Sequence, residues 1–157
     1  MLIALTVAFV LIIVLFLTLK RRTLKRSDLA KRWQNGFKDG WSFEQFMTDL
    51  FNNLGYRAVV TKGSHDFGVD IIVKNSKCTY VFQAKYYSNS ISPKALEEAL
   101  MAAALYGVDR IGIVTNAEIP QAVKDFAEQI CKKTFVKKVL LIGRPEIERM
   151  LRGEKLI

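Results

Sequence analysis

An uncharged, strongly apolar stretch near the start of the sequence limits what its N-terminal part can fold into. Residues 2–19 contain no acidic, basic or histidine side chain. In a helix these eighteen residues span roughly 27 Å, close to the hydrocarbon thickness of a bilayer. A signal peptide is the alternative, but it usually has a basic start and a small-residue cleavage site, and neither is seen here. The sequence therefore predicts a transmembrane anchor at residues 1–19.

Basic residues are concentrated directly after this stretch. Residues 20–38 hold eight Lys or Arg and one acid, whereas residues 39–157 hold sixteen basic and fourteen acidic residues. Cationic residues beside a membrane helix stay on the cytoplasmic side and attract anionic headgroups. We therefore expect a single-pass protein of the cell membrane with its N-terminus outside, a basic juxtamembrane linker at residues 20–39 that contacts lipid, and a cytoplasmic domain at residues 40–157. The net charge of +9 alone does not indicate nucleic-acid binding.

Apolar spacing in the C-terminal domain alternates between helix and strand periods. Ser42 and Gln45 form a capping-box pattern ahead of an amphipathic helix that ends near Gly55. Strands are predicted at residues 56–61, 69–73, 79–84, 110–115 and 139–142, and further helices at 93–106, 120–132 and from 145. This order, αβββαβαβα, predicts an α/β fold with a mixed central sheet flanked by helices. Continuous apolar runs predict that the last two strands are buried on both faces.

Polar residues with useful chemistry lie at one end of the predicted strands. Asp70 lies at the start of one strand, and Gln83 and Lys85 lie two apart near the end of the next. Because residues two apart share a face of a strand, pairing of the two strands would bring these three side chains together. Glu44, in the first turn of the first domain helix, could reach the same edge. Asp70, Gln83 and Glu44 offer the oxygen ligands that Mg²⁺ prefers, and Lys85 could orient water or stabilise developing negative charge.

These motifs together resemble the Mrr-type branch of the restriction endonuclease-like PD-(D/E)xK superfamily. The resemblance covers about residues 40–152, and its elements occur in the family's order. The matching segments are Phe43-Glu44, Leu54-Gly55-Tyr56, Asp66-x-Gly68-Val69-Asp70, Gln83-Ala84-Lys85, Gly112-Ile113-Val114-Thr115-Asn116 and Leu141 to Arg144. Gln83 replaces the acid of the broader superfamily motif, although Q-x-K is the usual form in the Mrr branch. Phe67 stands where the signature often has a second glycine.

The resemblance implies a restriction endonuclease-like fold and an Mg²⁺-dependent DNA endonuclease that hydrolyses phosphodiester bonds. Together with the anchor predicted from residues 1–19, it predicts a membrane-anchored endonuclease. It implies that Glu44, Asp70, Gln83 and Lys85 are catalytic and that the first three bind metal, for which Mn²⁺ can substitute. DNA is the implied partner, and a homodimer would allow both strands to be cut. The alternative is a catalytically inactive nuclease-fold module that binds nucleic acid or protein partners at the cytoplasmic membrane face.

Residues around this constellation are candidates for DNA contact. Lys62, Ser64 and Asp66 lie in the polar turn before the strand that begins near Asp70, and Tyr86 follows Lys85 directly. Lys62 and Ser64 could touch phosphate, and Tyr86 could line a rim that faces DNA. Asp66 matches the first acid of the family's D-x-G-x-D signature, where shaping the turn is the competing role.

Overall fold

The computed structural model describes residues 2–61 and 69–157, without the side chains of residues 2–6, 8, 15 and 17–24. The described helices and strands follow the predicted order after a long first helix. Their bounds are α1 Leu2–Asn35, α2 Gly40–Asn53, β1 Arg57–Val60, β2 Ile71–Lys74, β3 Thr79–Lys85, α3 Lys94–Tyr106, β4 Arg110–Thr115, α4 Gln121–Lys133, β5 Lys138–Ile142 and α5 Arg144–Leu151. The prediction of a mixed α/β fold is confirmed.

The five described strands form one sheet in the order β1-β2-β3-β4-β5. The first three strands are antiparallel, and β3, β4 and β5 are parallel to each other. Parallel neighbours need a crossover, and α3 and α4 supply one each. One apolar cluster lies on the side of α2 and α5, and a second lies under α3 and α4. The carboxyl ends of β3, β4 and β5 therefore share one edge of the sheet.

The helix α2 begins three residues earlier than the capping pattern at Ser42 predicts. Asp39 is the N-cap residue: its Oδ1 accepts a hydrogen bond from Ser42 N at 2.8 Å, and its own N–H donates to Ser42 Oγ at 3.2 Å. Ser42 is therefore the third helical residue of a reciprocal capping box and does not cap the helix itself. The earlier start leaves Glu44 within the first two turns of the helix.

The two last strands differ in burial. In β4 every residue after Arg110 is buried, as the apolar run predicts, whereas in β5 only Ile142 is buried. The prediction that β5 is buried on both faces holds only in part. Its side chains pack against both apolar clusters, but Val139, Leu140 and Leu141 stay partly exposed in this edge strand. Gly112 in β4 makes close packing possible: a Cβ there would lie 2.2 Å from a ring carbon of Phe82 and 2.8 Å from the carbonyl oxygen of Leu140.

The basic stretch predicted as a linker continues the helix α1 as far as Asn35 and packs on the domain. Leu29 is 3% exposed and belongs to the core. Trp33 stacks on Phe46 with ring centroids 5.8 Å apart, and Arg32 forms an ion pair of 2.7 Å with Asp49 of α2. The last turns of α1 are therefore part of the folded domain.

Within the described residues, no helix is long and apolar enough to cross a membrane. The structure thus does not support the anchor predicted at residues 1–19. Most side chains of that stretch lie outside the described residues.

Candidate active site

Asp70 and Gln83 lie next to each other where β2 begins and β3 approaches its end. Ile71 pairs with Phe82, and the ladder extends one step further because Asp70 N donates to Phe82 O at 3.0 Å. The Nε2 of Gln83 donates to Asp70 Oδ2 at 2.5 Å, and Ala84 N donates to the same oxygen at 2.7 Å. These two hydrogen bonds fix the Asp70 carboxylate at the edge of the sheet, as strand pairing predicts.

The carbonyl oxygen of the Gln83 side chain is the unusual atom of this pair. Gln83 is only 5% exposed, and its Oε1 is buried with no hydrogen-bond partner among the described residues. A buried polar atom without a partner costs about 1–3 kcal/mol. Such an oxygen beside a carboxylate is suited to a cation, because a cation would supply the partner that the described residues do not.

Glu44 approaches this pair from α2. Its pKa is raised from 4.5 to about 7, chiefly by burial and also by the negative charges of Asp70 and Asp39, while the positive charge of Lys85 lowers it. The structure therefore brings Glu44 within electrostatic range of both Asp70 and Lys85. Two acids that disfavour each other's ionisation in a half-buried place form a negative site that a cation would relieve.

Lys85 is the fourth residue of the site, and it forms an ion pair with an acid that was not predicted from the sequence. Its Nζ lies 2.8 Å from Oε2 of Glu98, and both side chains are largely covered, with 20% and 31% of their area exposed. Glu98 lies on α3 between the buried residues Ala95, Ala99 and Ala102. An acid on the apolar face of a helix was the available signal, but the sequence alone does not show which strand that face covers.

The chain after Lys85 is held by the end of β4. Thr115 is fully buried, and its Oγ1 donates to Lys85 O at 2.7 Å. The side chain of Asn116 accepts from Tyr87 N and donates to Tyr87 O, both at 2.9 Å. Thr115 and Asn116, which belong to one of the segments that resemble the family, therefore fix the backbone on either side of residue 86.

Tyr86 has a packing role. Its ring lies edge-on to Phe37 at 5.5 Å and also contacts Phe43, and its hydroxyl accepts a hydrogen bond from Phe37 N at 3.2 Å. The structure thus places Tyr86 between β3 and the segment after α1, and its predicted contact with DNA stays a prediction. The other predicted DNA contacts, Lys62, Ser64 and Asp66, lie outside the described residues.

Comparison with known proteins shows to which family the chain belongs. A family model described as "Restriction endonuclease" (Mrr_cat) matches residues 38–151, most of the chain. The chain belongs to the restriction endonuclease family. The match begins just before α2 and includes all four residues of the Glu44, Asp70, Gln83 and Lys85 set. A nuclease that acts on DNA is the activity class that this membership supports.

Solved structures show the same restriction endonuclease-like fold. A protein of unknown function, AF1548, is 15% identical with a TM-score of 0.57 over 73% of this chain and 66% of its own. The DNA modification-dependent restriction endonuclease AspBHI is 17% identical with a TM-score of 0.55 over 84% of this chain and 35% of its own. The chain thus spans less than two thirds of either protein. No curated protein sequence matches it.

Restriction endonucleases of this superfamily generally use divalent metal ions, and the donor set here fits such an ion. Among the described residues, no group of three or more His, Cys, Asp or Glu side chains is placed to hold a metal. The set contains two carboxylates, Glu44 and Asp70, and one amide oxygen, that of Gln83. Two features favour a hard cation there: the Oε1 of Gln83, which finds no hydrogen-bond partner in the part of the chain that the structure describes, and the raised pKa of Glu44.

Proposed function

We propose that this chain is a divalent-metal-dependent DNA endonuclease that hydrolyses phosphodiester bonds, with Mg²⁺ as its ion. The observation that carries the proposal is the hydrogen-bonded pair of Asp70 and Gln83, in which a buried amide oxygen beside a carboxylate has no hydrogen-bond partner among the described residues. Glu44 adds a second acid, and Lys85 adds a cation at the same edge. Family membership supports DNA as the substrate.

In this proposal three of the four side chains hold the metal ion and the fourth acts on the reacting groups. Asp70, Gln83 and Glu44 would hold the ion, which when bound activates water and neutralises negative charge on the phosphate. Gln83 also donates through Nε2 to Asp70 and so fixes the orientation of that carboxylate. The ammonium of Lys85 orients the attacking water or stabilises the negative charge that develops on the phosphoryl oxygens.

Plasmid nicking by the full chain, purified in a mild detergent, tests the proposal. Supercoiled DNA should be nicked with Mg²⁺ or Mn²⁺ and left intact with chelator. Asp70→Asn and Lys85→Ala should each reduce nicking by about 100-fold or more, because each removes a group that acts on the reacting atoms. Asp125→Asn and Lys94→Ala change the same charges at exposed positions and should nick like the parent chain. Unchanged nicking by the two site variants would contradict the assignment.

An inactive nucleic-acid-binding module is the second candidate, favoured by Gln83 itself. A neutral amide holds a metal ion less strongly than a carboxylate does, and here its Nε2 also hydrogen-bonds to Asp70 Oδ2. Such a module would bind DNA with an affinity that falls steeply with salt but would cut no DNA with any divalent metal. Binding without nicking by the parent chain therefore distinguishes this function from the first, and binding of protein alone would point to a protein partner.

A location at the inner face of the cell membrane and a homodimer rest on sequence alone. We propose the location from the uncharged residues 2–19 and the basic residues that follow them. Sedimentation of the full chain with membranes, compared with a chain in which Leu11 and Ile12 are replaced by Lys, tests it. Sedimentation equilibrium with and without DNA measures whether two copies associate.

A further inference from the structure

We infer that Glu98 is a positioning residue that holds the Lys85 ammonium in place at the catalytic edge, an inference that rests on the proposed nuclease function. The structure assigns this role through a contact of 2.8 Å between Lys85 Nζ and Glu98 Oε2. Lys85 is the site residue that Glu98 contacts, so the proposed effect of Glu98 on the reaction passes through Lys85.

The setting of the ion pair separates it from an ordinary surface pair. Fully exposed pairs contribute little because water screens them and both side chains lose freedom. Here the lysine is 20% exposed and the glutamate 31% exposed, and Glu98 lies among the buried alanines of α3. The backbone of Lys85 is fixed independently by the hydrogen bond from Thr115 Oγ1. With the backbone held by β4, Glu98 determines where the flexible four-carbon side chain ends.

The charges around Lys85 explain why such an anchor matters. Lys85 acts electrostatically on Glu44, which in turn interacts with Asp70, so the ammonium is attracted to one member of a pair of acids. Without Glu98, the ammonium would be drawn toward those acids and would compete with the metal ion for them. Glu98 thus keeps the Lys85 ammonium next to the proposed metal site without letting it occupy that site. Loss of Glu98 should therefore change both kcat and the concentration of metal ion that the reaction needs.

Glu98→Gln and Glu97→Gln form a matched pair of variants for the test. The two residues are adjacent in the first turns of α3, and Glu97 is exposed. Both substitutions remove one negative charge from the same helix and keep a side chain of the same shape. They therefore change the general attraction to DNA equally, and only Glu98→Gln weakens the ion pair. Glu98→Asp keeps the charge on a shorter side chain and serves as the conservative variant.

Nicking kinetics and metal titrations of the full chain give the first readout. We expect Glu98→Gln to lower kcat by about 10-fold or more, since small misplacements of a reacting group are costly, with KM for DNA changed less than about twofold. The Mg²⁺ concentration for half-maximal nicking should rise, and Glu98→Asp should recover part of kcat. Glu97→Gln should match the parent chain. Equal kinetics for the two glutamine variants would overturn the inference, as would a change in KM alone.

Acetylation of lysine gives a second readout that needs no catalysis. In the metal-free full chain at fixed pH, Lys85 should react several times faster in Glu98→Gln than in Glu97→Gln, with exposed Lys94 as the internal reference. Equal rates would overturn the inference. If the parent chain cuts no DNA with any metal, the proposed nuclease function fails, while the acetylation rates still decide whether Glu98 holds Lys85.

Discussion

Replacing Glu44 by Gln should stabilise the metal-free protein at alkaline pH and leave it unchanged in acid. Burial and the charge of Asp70 raise the pKa of Glu44 from 4.5 to about 7, so the folded state holds a proton that the unfolded chain has already lost. At ~1.36 kcal/mol per unit of pKa shift, this rise corresponds to about 3 kcal/mol of lost stability above pH 7. Solvent screening at a half-buried carboxyl reduces this loss to about 1–2 kcal/mol.

The sign of the effect follows from proton binding. Below pH 4.5 both states carry a protonated Glu44 and the group makes no difference. Between pH 4.5 and 7 the folded state binds more protons, so stability falls as pH rises, and above pH 7 the full cost is present. Because Gln is neutral throughout, the free energy of unfolding of Glu44→Gln should exceed that of the parent chain by about 1–2 kcal/mol at pH 8 and match it at pH 4.

Urea unfolding of the full chain with chelator, followed by circular dichroism from pH 4 to 8, measures this difference. Glu97→Gln is the matched control, since it removes the same charge from an exposed position. Asp70→Asn should reduce the pH dependence that Glu44 contributes, because it removes one of the charges that raise the pKa of Glu44. A difference between Glu44→Gln and the parent chain that is the same at pH 4 and pH 8 would refute the reasoning.

Three further substitutions test how the site is built. Gly112→Ala should lower the free energy of unfolding by about 1–3 kcal/mol or more, because the added Cβ overlaps the ring of Phe82; urea unfolding measures it. Asp39→Ala removes the N-cap of the helix that carries Glu44 and should cost about 1 kcal/mol, measured in the same way. Thr115→Val leaves the carbonyl of Lys85 without its donor; it should cost about 1–3 kcal/mol and also reduce nicking.

Each of these substitutions has a control or a contrary result. Gly40→Ala adds a Cβ that would meet no described atom within 4 Å beyond its chain neighbours and its own helix backbone, and it should be tolerated. Asp39→Asn can still accept from the helix and should retain most of the stability that Asp39→Ala loses. If Thr115→Val unfolds like the parent chain and nicks at the same rate, its hydrogen bond does not help to fix Lys85.

The order of helices and strands could be predicted because each element has its own spacing of apolar residues along a short segment. The apolar run in β4 and the stop at Gly55, which has a φ of 91°, are properties of short segments. The exposure of β5 could not be predicted, since its position at the edge depends on what pairs beside it. The cap of α2 was misplaced because Asp39-x-x-Ser42 and Ser42-x-x-Gln45 are equally acceptable patterns, and only the observed hydrogen bonds choose between them.

The candidate site shows the same division. The proximity of Asp70 and Gln83 could be predicted because alternate residues of a strand share a face and because the two strands were expected to pair as a hairpin. Glu44 was a weaker prediction because its place depends on how α2 crosses the sheet, and its raised pKa now connects it to Asp70. Glu98 lay beyond prediction, since the contact between α3 and β3 is set by the packing of the whole domain.

The continuity of α1 has a mechanical consequence. A flexible connector would let the domain rotate freely and search for DNA in every direction. Here the last turns of the helix pack on the domain through Leu29 and Trp33, and the guanidinium of Arg144 lies 5.2 Å from the Trp33 ring centre. The helix therefore extends for roughly 50 Å over its 34 residues from a base that is packed on the domain. In the proposed function, whatever holds the far end of that helix also limits the direction in which the Asp70–Gln83 edge of the sheet faces.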